Sequence, residues 1–284
     1  MYFRSDMANE IRGRVMKEYS KEHKGEPDGI KYTERGRISA VTVSNENGAR
    51  LLGKPIGKYV TVNVGKIWES DQDDFKECAD IIADTVISMK KPDGCVLAAG
   101  LGNRYVTADA LGPLAVRHII ATHHIKDTAA FDKSGLGDCA ALSPGVLSQT
   151  GIEAAEQIKA AADQLKPRLI IIIDSLAAAG IETLSTSVQI TDTGISPGSG
   201  VGNDRGELSE KTLGAPVIAI GVPTVIDAAS LLPDGAENEY KKLKGCYVCP
   251  KDSDRSVGEL SRLIGYAINR VCHPFLSYED MAYI

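Results

Sequence analysis

Residues 169–174 read Leu-Ile-Ile-Ile-Ile-Asp, and this stretch restricts the fold more than any other in the chain. β-Branched side chains favour extended backbone. An unbroken apolar run, rather than an alternating one, needs apolar cover on both faces of its strand. A strand of this kind belongs inside a sheet with helices packed on either side. The rest of the pattern agrees. Alternating β-branched positions predict strands at 37–44 and 58–65, and short apolar runs predict others at 95–100, 139–143, 187–192 and 217–222. Phe75, Cys78, Ile81, Ile82, Val86 and Met89 recur with a helical period over 73–89. Further helices are expected over 113–123, with Pro113 in the first turn, over 150–165, from Thr224 onward and over 257–271, with a last strand between Cys246 and Cys249. The alternation predicts a single three-layer α/β/α domain with a largely parallel sheet. Residues 1–30 form an N-terminal arm whose stretch KEYSKEHKGEPDG (17–29) is too polar to pack well, and residues 31–284 form the domain.

Composition excludes several classes of function. A net charge of −6 over 284 residues provides no general field for phosphate backbones, and no basic patch interleaved with aromatics is present. The opening MYFRSDMANEIRGR is charged from the start, unlike a secretory signal, and no apolar run approaches a bilayer span. Six cysteines scattered without scaffold spacing fit reduced thiols in a cytoplasmic protein.

In an open parallel sheet, ligands bind beyond the carboxyl ends of the strands. Three places meet that rule. After the strand ending at Gly100, Gly100-x-Gly102 makes a tight turn, but Tyr105 stands where a dinucleotide fingerprint needs its third glycine. Asp109, just ahead of Gly112-Pro113, is either a turn or cap carboxylate or a functional one. Asp174 closes the apolar strand, where an acid is either a rigidly held reactive group or a structural acceptor for the backbone of residues 175–180. Residues 192–205, DTGISPGSGVGNDR, make a specially shaped loop without the Gly-Lys-Ser/Thr of a phosphate loop, and read as a substrate or gating loop. The lone Cys246-x-x-Cys249 reads as buried thiols rather than a zinc site. His118, His123 and His124 lack a His-Glu-x-x-His partner, leaving His124 as a residue that edges the site.

Five stretches carry a specific resemblance: GLGN…VTADALGP (100–113), SPGVLSQTGIE (143–153), LIIIIDSLAA (169–178), VQITDTGISPGSGVGN (188–203) and TLGAPVIAIGVPTVIDA (212–228). They resemble the germination protease family of spore-forming bacteria. More distantly the chain is similar to hydrogenase-maturation peptidases, which share the sheet type and a Gly-x-Gly-Asn…Asp stretch. The resemblance implies an atypical aspartic endopeptidase that cuts small acid-soluble spore proteins after an acidic residue, with catalytic Asp109 and Asp174. It further implies a zymogen processed by itself, a homotetramer in the cytoplasm of the forespore or spore core, no cofactor and no nucleic-acid or membrane partner. Ser5-Asp6-Met7-Ala8-Asn9-Glu10 matches the family's cleavage pattern and places the processed bond between Asp6 and Met7, making the preceding residues a short propeptide. Asn103, His124, Gly198, Gly200, Asn203 and Arg205 are candidates for the substrate loops, with Arg104 a further positive residue beside them. Where members tend to read Ala-Leu-Ala-Ala-Arg after the second acid, this chain reads Ser175-Leu176-Ala177-Ala178-Ala179.

Two adjacent carboxylates do not both ionise easily, so one is expected to hold a proton. The helix start near Asp109 favours its anion and the role of base, leaving Asp174 to hold the proton. Two other readings stand beside this one. A metal-dependent maturation peptidase would need Asp or Glu and His ligands converging, and a non-catalytic spore protein would keep only the fold.

Overall fold

The computed structural model describes residues 4–196, 206–232, 236, 241–243 and 245–282. Its centre is a nine-stranded sheet: β1 (Ile30–Arg35), β2 (Ile38–Val43), β3 (Gly57–Asn63), β4 (Val96–Gly100), β5 (Cys139–Leu142), β6 (Leu169–Ala178), β7 (Ser187–Thr191), β8 (Val217–Asp227) and β9 (Tyr247–Val248). The spatial order is β1-β2-β3-β7-β8-β6-β4-β5, with β9 added to the end of β8. The sheet has two halves. β8, β6, β4 and β5 run parallel, whereas β1, β2, β3 and β7 join them through antiparallel pairings. The helices that cover it are α1 (Ala8–Tyr19), α2 (Glu46–Leu52), α3 (Gln72–Met89), α4 (Leu111–Val116), α5 (Ala154–Leu165) and α6 (Ser253–Cys272).

β6 shows why the apolar run is needed. Leu169, Ile171 and Ile173 point into one core with α3, α4 and α6, while Ile170 and Ile172 point into another with Ile158 and Ala162 of α5. All five are fully buried, and each contributes roughly 1.5–3 kcal/mol by leaving water. The first face is covered by one apolar cluster reaching from Val60 on β3 to Val96 on β4. The second face is covered in two pieces. α5 packs over the parallel half, and α1 and α2 pack over the antiparallel half through Ala8, Leu52 and Tyr59. Between those two pieces the sheet face forms the floor of a cleft of about 760 Å3.

Several boundaries differ from the sequence expectations. β6 continues past Asp174 to Ala178, because β8 keeps pairing with it to Ile226. β8 likewise runs to Asp227 where a helix was expected from Thr224. The register skips Thr224, whose hydroxyl turns away to donate to the Ala108 carbonyl at 2.6 Å. α4 ends at Val116 rather than His123. Buried Asn269 of α6 donates to the His118 carbonyl and accepts from the Ile120 N–H, satisfying backbone that a longer helix would have paired internally. α5 starts at Ala154 because Gly151, at φ +71°, ends a preceding short turn of helix. The N-terminal segment is partly structured: α1 docks through Ala8, Ile11 and Val15, whereas residues 21–26 lie exposed.

Candidate active site

Asp109 is positioned by backbone packed against backbone. It ends a short 3-10 turn, Thr107–Asp109, between β4 and α4. The Asn103 N–H donates to Asp109 Oδ2 at 2.8 Å, so a loop amide fixes the carboxylate. Gly102 lies at φ +113°, and a Cβ there would sit 2.0 Å from the Asp109 carbonyl oxygen. Gly100 and Gly112 meet equally closely, since a Cβ on Gly100 would lie 2.1 Å from the Gly112 oxygen. The glycines of this stretch therefore bring α4 against the end of β4 and leave Asp109 half-buried in the lining of the cleft.

Asp174 reaches the same cleft from the sheet itself. It is 6% exposed and its Oδ1 accepts from the Ser175 N–H at 2.9 Å. Along β6 it follows Ile170 and Ile172 in the alternation, so it faces the side that α5 covers further down the strand. Gly221 of β8 pairs with Asp174 on one side and with Gln189 of β7 on the other. Asp174, Gly221 and Gln189 thus form one row across three strands, and Leu176 leans over the space Gly221 leaves. Asp109, Asp174, Gln189 and Thr191 all line the cleft.

The N-terminal residues enter this cleft with a bend at Asp6. Asp6 lines it, its N–H donates to the Ala177 carbonyl at 2.8 Å, and its Oδ2 accepts from the Ala177 N–H at 2.9 Å. Gln189 brackets Met7, while the N–H of the Asp6–Met7 peptide donates to Ser5 Oγ at 2.9 Å. Its Nε2 donates to the Asp6 carbonyl at 3.0 Å and its Oε1 accepts from the Ala8 N–H at 2.7 Å. Met7 is wholly buried. Glu10, in the first turn of α1, accepts from the Ala179 N–H at 2.7 Å, the Gly180 N–H at 3.1 Å, the Ser5 hydroxyl at 2.5 Å and the Thr183 hydroxyl. Lys54, just after α2, also lines the cleft. Burial pulls its ammonium pKa down, and the Asp6 carboxylate pushes back.

The structure therefore brings Asp109, Asp174 and Asp6 to one cleft, with Asn103 on the loop that holds Asp109. His124 sits in a short turn, His123–Ile125, and is absent from the cleft lining among the described residues. That turn follows the early end of α4, which sends the chain toward the amino end of β5 rather than the cleft. Arg104 is exposed, with its guanidinium over the Tyr105 ring. Gly198, Gly200, Asn203 and Arg205 lie outside the described residues, while Gly194, Ile195, Ser196, Gly206 and Glu207 on either side of them line the cleft. Gln189 and Lys54 had no role in the sequence reading. A glutamine inside the buried strand SVQIT is a readable anomaly; a lysine after a helix is not.

At the amino ends of β4 and β5, away from the cleft, Cys95, His123 and Asp138 place their ligand-type atoms within 4.8 Å of one another. His123 Nδ1 lies 2.7 Å from Asp138 Oδ1 and 3.7 Å from Cys95 Sγ. Burial and the neighbouring Asp138 push the Cys95 thiol up to about 12. Cys246 and Cys249, expected to be buried, are exposed: they flank the two-residue strand β9, which pairs only at the end of β8 and is itself half-buried at Tyr247 and exposed at Val248. All six cysteines are free thiols.

Among the described residues no helix is long and apolar enough to cross a membrane. The family model for germination protease matches residues 5–246. A germination protease of Clostridium tetani is 36% identical over 322 aligned residues, covering 99% of this chain and 98% of that protein. One of Caldanaerobacter subterraneus subsp. tengcongensis is 43% identical over 247 residues, covering 84% of this chain and 74% of its own length. A third, of Bacillus velezensis, is 40% identical over 240 residues, 81% of this chain and 65% of the relative. Similarity of this extent, over a cleft built from the matching stretches, establishes that the chain belongs to the germination protease family.

Proposed function

We propose that this protein is an endopeptidase that hydrolyses small acid-soluble spore proteins after an acidic residue, with Asp109 and Asp174 as its catalytic pair and its own Asp6–Met7 bond as an internal substrate. The observation that carries this reading is the held segment: Gln189 grips the carbonyl of the Asp6–Met7 bond and the amide of Ala8, the residue after it, in the cleft that both aspartates line. Asp109, half-buried in the cleft lining and held by a backbone amide, takes a proton from the attacking water. Asp174, nearly buried on its strand, is the proton holder and protonates the leaving amine. The Gln189 Nε2–H supports the charge that develops on the carbonyl oxygen as water adds. A cleft entered by the chain's own N-terminal residues is the expected state of a zymogen, and removal of residues 1–6 is the expected start of activation. The family likeness further supports a homotetramer in the spore core.

The test is cleavage, read by mass, of a peptide carrying Ser-Glu-Met-Ala-Asn-Glu, using protein that begins at Met7. Asp109→Asn, Asp174→Asn and a chelator run alongside. Cutting after the first Glu that survives chelator and disappears in both variants supports the reading. Activity lost to chelator would replace it with a metallopeptidase. A folded, processed chain that never cuts would leave only a scaffold.

A further inference from the structure

Among the described residues, Cys95, His123 and Asp138 are the one group of three ligand-type side chains whose donor atoms lie within 4.8 Å of one another, and the cleavage reading gives them no role. Backbone pairing sets their positions. Cys95 and Asp138 immediately precede β4 and β5, whose register pairs Val96 with Cys139, and the Val96 N–H donates to the Asp138 carbonyl at 2.9 Å. Buried Thr122 holds the His123 turn against the same strand. Its N–H donates to the Cys139 carbonyl at 2.8 Å, its hydroxyl donates to the Gly137 carbonyl at 2.6 Å, and that hydroxyl accepts from the Cys139 N–H at 3.0 Å. The three side chains therefore meet before any ligand arrives, which lowers the ordering cost of binding one. His123 Nδ1 lies 3.7 Å from the thiol sulfur and 2.7 Å from the carboxylate oxygen. One Nδ1 cannot both donate to the carboxylate and accept the thiol proton, whereas a cation can be shared by all three groups. Tetrahedral zinc with ordinary bond lengths sets its sulfur and nitrogen ligands about 3.6 Å apart and its nitrogen and oxygen ligands about 3.4 Å apart. The first spacing is already met, and the second needs the carboxylate to shift by less than about 1 Å.

We propose that Cys95 Sγ, His123 Nδ1 and an Asp138 carboxylate oxygen bind one zinc ion, with water as the fourth ligand, and that the ion clamps the entries of β4 and β5 to the His123–Ile125 turn. The donor set identifies the ion: a thiolate and an imidazole suit zinc and are poor partners for magnesium or calcium. Binding exchanges the Cys95 S–H bond for a sulfur–zinc bond and releases that proton to solvent, while His123 binds in its neutral form with its proton on Nε2. β5 is a four-residue strand at the edge of the sheet, paired on one side only, so a clamp at its entry adds to the little that holds it. The site lies at the opposite end of β4 from the loop that carries Asp109. The five residues of that strand put roughly 16 Å between them, so the ion supports the fold and takes no part in the cleft.

The test uses the full chain carrying Cys246→Ser and Cys249→Ser, which removes the two exposed thiols as competing zinc ligands. Zinc affinity is read at neutral pH by competition with a chromophoric chelator, and cobalt serves as a spectroscopic stand-in. The expected result is one zinc per chain with a Kd of about 1 μM or tighter, and magnesium bound at least about a hundredfold more weakly. Cobalt gives a thiolate-to-metal charge-transfer band in the near ultraviolet, which Cys95→Ser removes. Cys95→Ser, His123→Gln and Asp138→Asn each lower zinc affinity about a hundredfold or more. Saturating zinc raises the thermal midpoint of the parent chain by about 5 °C and leaves that of its Cys95→Ser derivative unmoved. Midpoints taken with chelator present establish that each variant is folded, and Cys95→Ala repeats each reading without a serine hydroxyl to act as a ligand. No zinc bound by the folded parent chain, a cobalt band that persists in Cys95→Ser, or unchanged zinc affinity in the three variants overturns the inference and leaves a hydrogen-bonded histidine beside a thiol. Binding is read without cleavage, so the result stands apart from the protease reading.

Discussion

The two halves of the sheet contribute to the cleft in different ways. The parallel half supplies the aspartates, each placed by local chemistry: Asp174 by a strand buried on both faces, Asp109 by a glycine-built turn. The antiparallel half supplies the grips. Gln189 lies on β7, Lys54 follows α2, and the segment they hold leads into α1, which packs on β1–β3. On the proposed function, the reactive groups come from strands buried in the sheet between two layers of helix, and recognition comes from the part of the fold that the N-terminal segment covers.

The largest effect should come from breaking the parallel half. Asp174→Asn or Asp109→Asn should lower peptide cleavage about a thousandfold, the scale of general acid–base catalysis, while leaving the thermal midpoint within a few degrees. Cleavage above a tenth of wild type in either variant would remove that residue from the chemistry. Next comes the antiparallel half. Gln189→Glu keeps an acceptor for the Ala8 amide but loses the donor to the carbonyl, so kcat should drop about a hundredfold with KM changing much less. A rise in KM alone would make Gln189 a grip and nothing more.

Stability changes sharpen the contrast. Gly102→Ala meets both a positive φ and the Asp109 carbonyl, and should cost about 1–3 kcal/mol in urea unfolding together with activity. Gly151→Ala, also at positive φ but with open space around it, should cost about 1 kcal/mol or less and leave cleavage intact. Equal losses at the two positions would deny the loop its role in holding Asp109.

The smallest effect lies outside the cleft. His273, wholly buried after α6, accepts the Gly137 N–H at Nδ1 and donates Nε2–H to the Ile120 carbonyl. Burial holds its pKa below the ordinary imidazole value. Below about pH 6.5 the unfolded chain takes up a proton that the folded chain refuses, so stability falls as pH drops, until the folded pKa is reached. Between pH 7.5 and 5.5 the loss should be up to about 1 kcal/mol, and smaller in His273→Asn. His118 is shifted in the same direction by burial, so part of the slope should survive that substitution. A slope unchanged in His273→Asn would assign the pH dependence elsewhere.

Legibility followed the same division. The strands at β2, β3, β4, β5 and β7 and the helix α3 were readable, because each follows from neighbours in sequence: apolar period and glycine punctuation. Local pattern left Asp109 and Asp174 open between a structural and a functional role, and the family resemblance singled them out; the structure places both in the cleft lining. The continuation of β6 and β8 was not readable, since Ser175-Leu176-Ala177-Ala178 carries no strong strand signal and extends only because the two strands pair with each other. The early end of α4 depended on Asn269, 149 residues away from Ile120. Lys54 and Glu10 are ordinary surface residue types, and nothing local marks what faces them.

By itself, the sequence determined the layered α/β architecture, because burial on both faces and tight glycine turns are properties of short stretches. The tertiary structure decided which side chains meet across the cleft. Asp6, Gln189 and Lys54 come from separate parts of the chain, and only the antiparallel pairing of β7 with β8 and the docking of α1 on β1–β3 bring them together. That meeting depends on long-range packing, in which a small number of favourable contacts decides between many chain arrangements that local propensity does not distinguish.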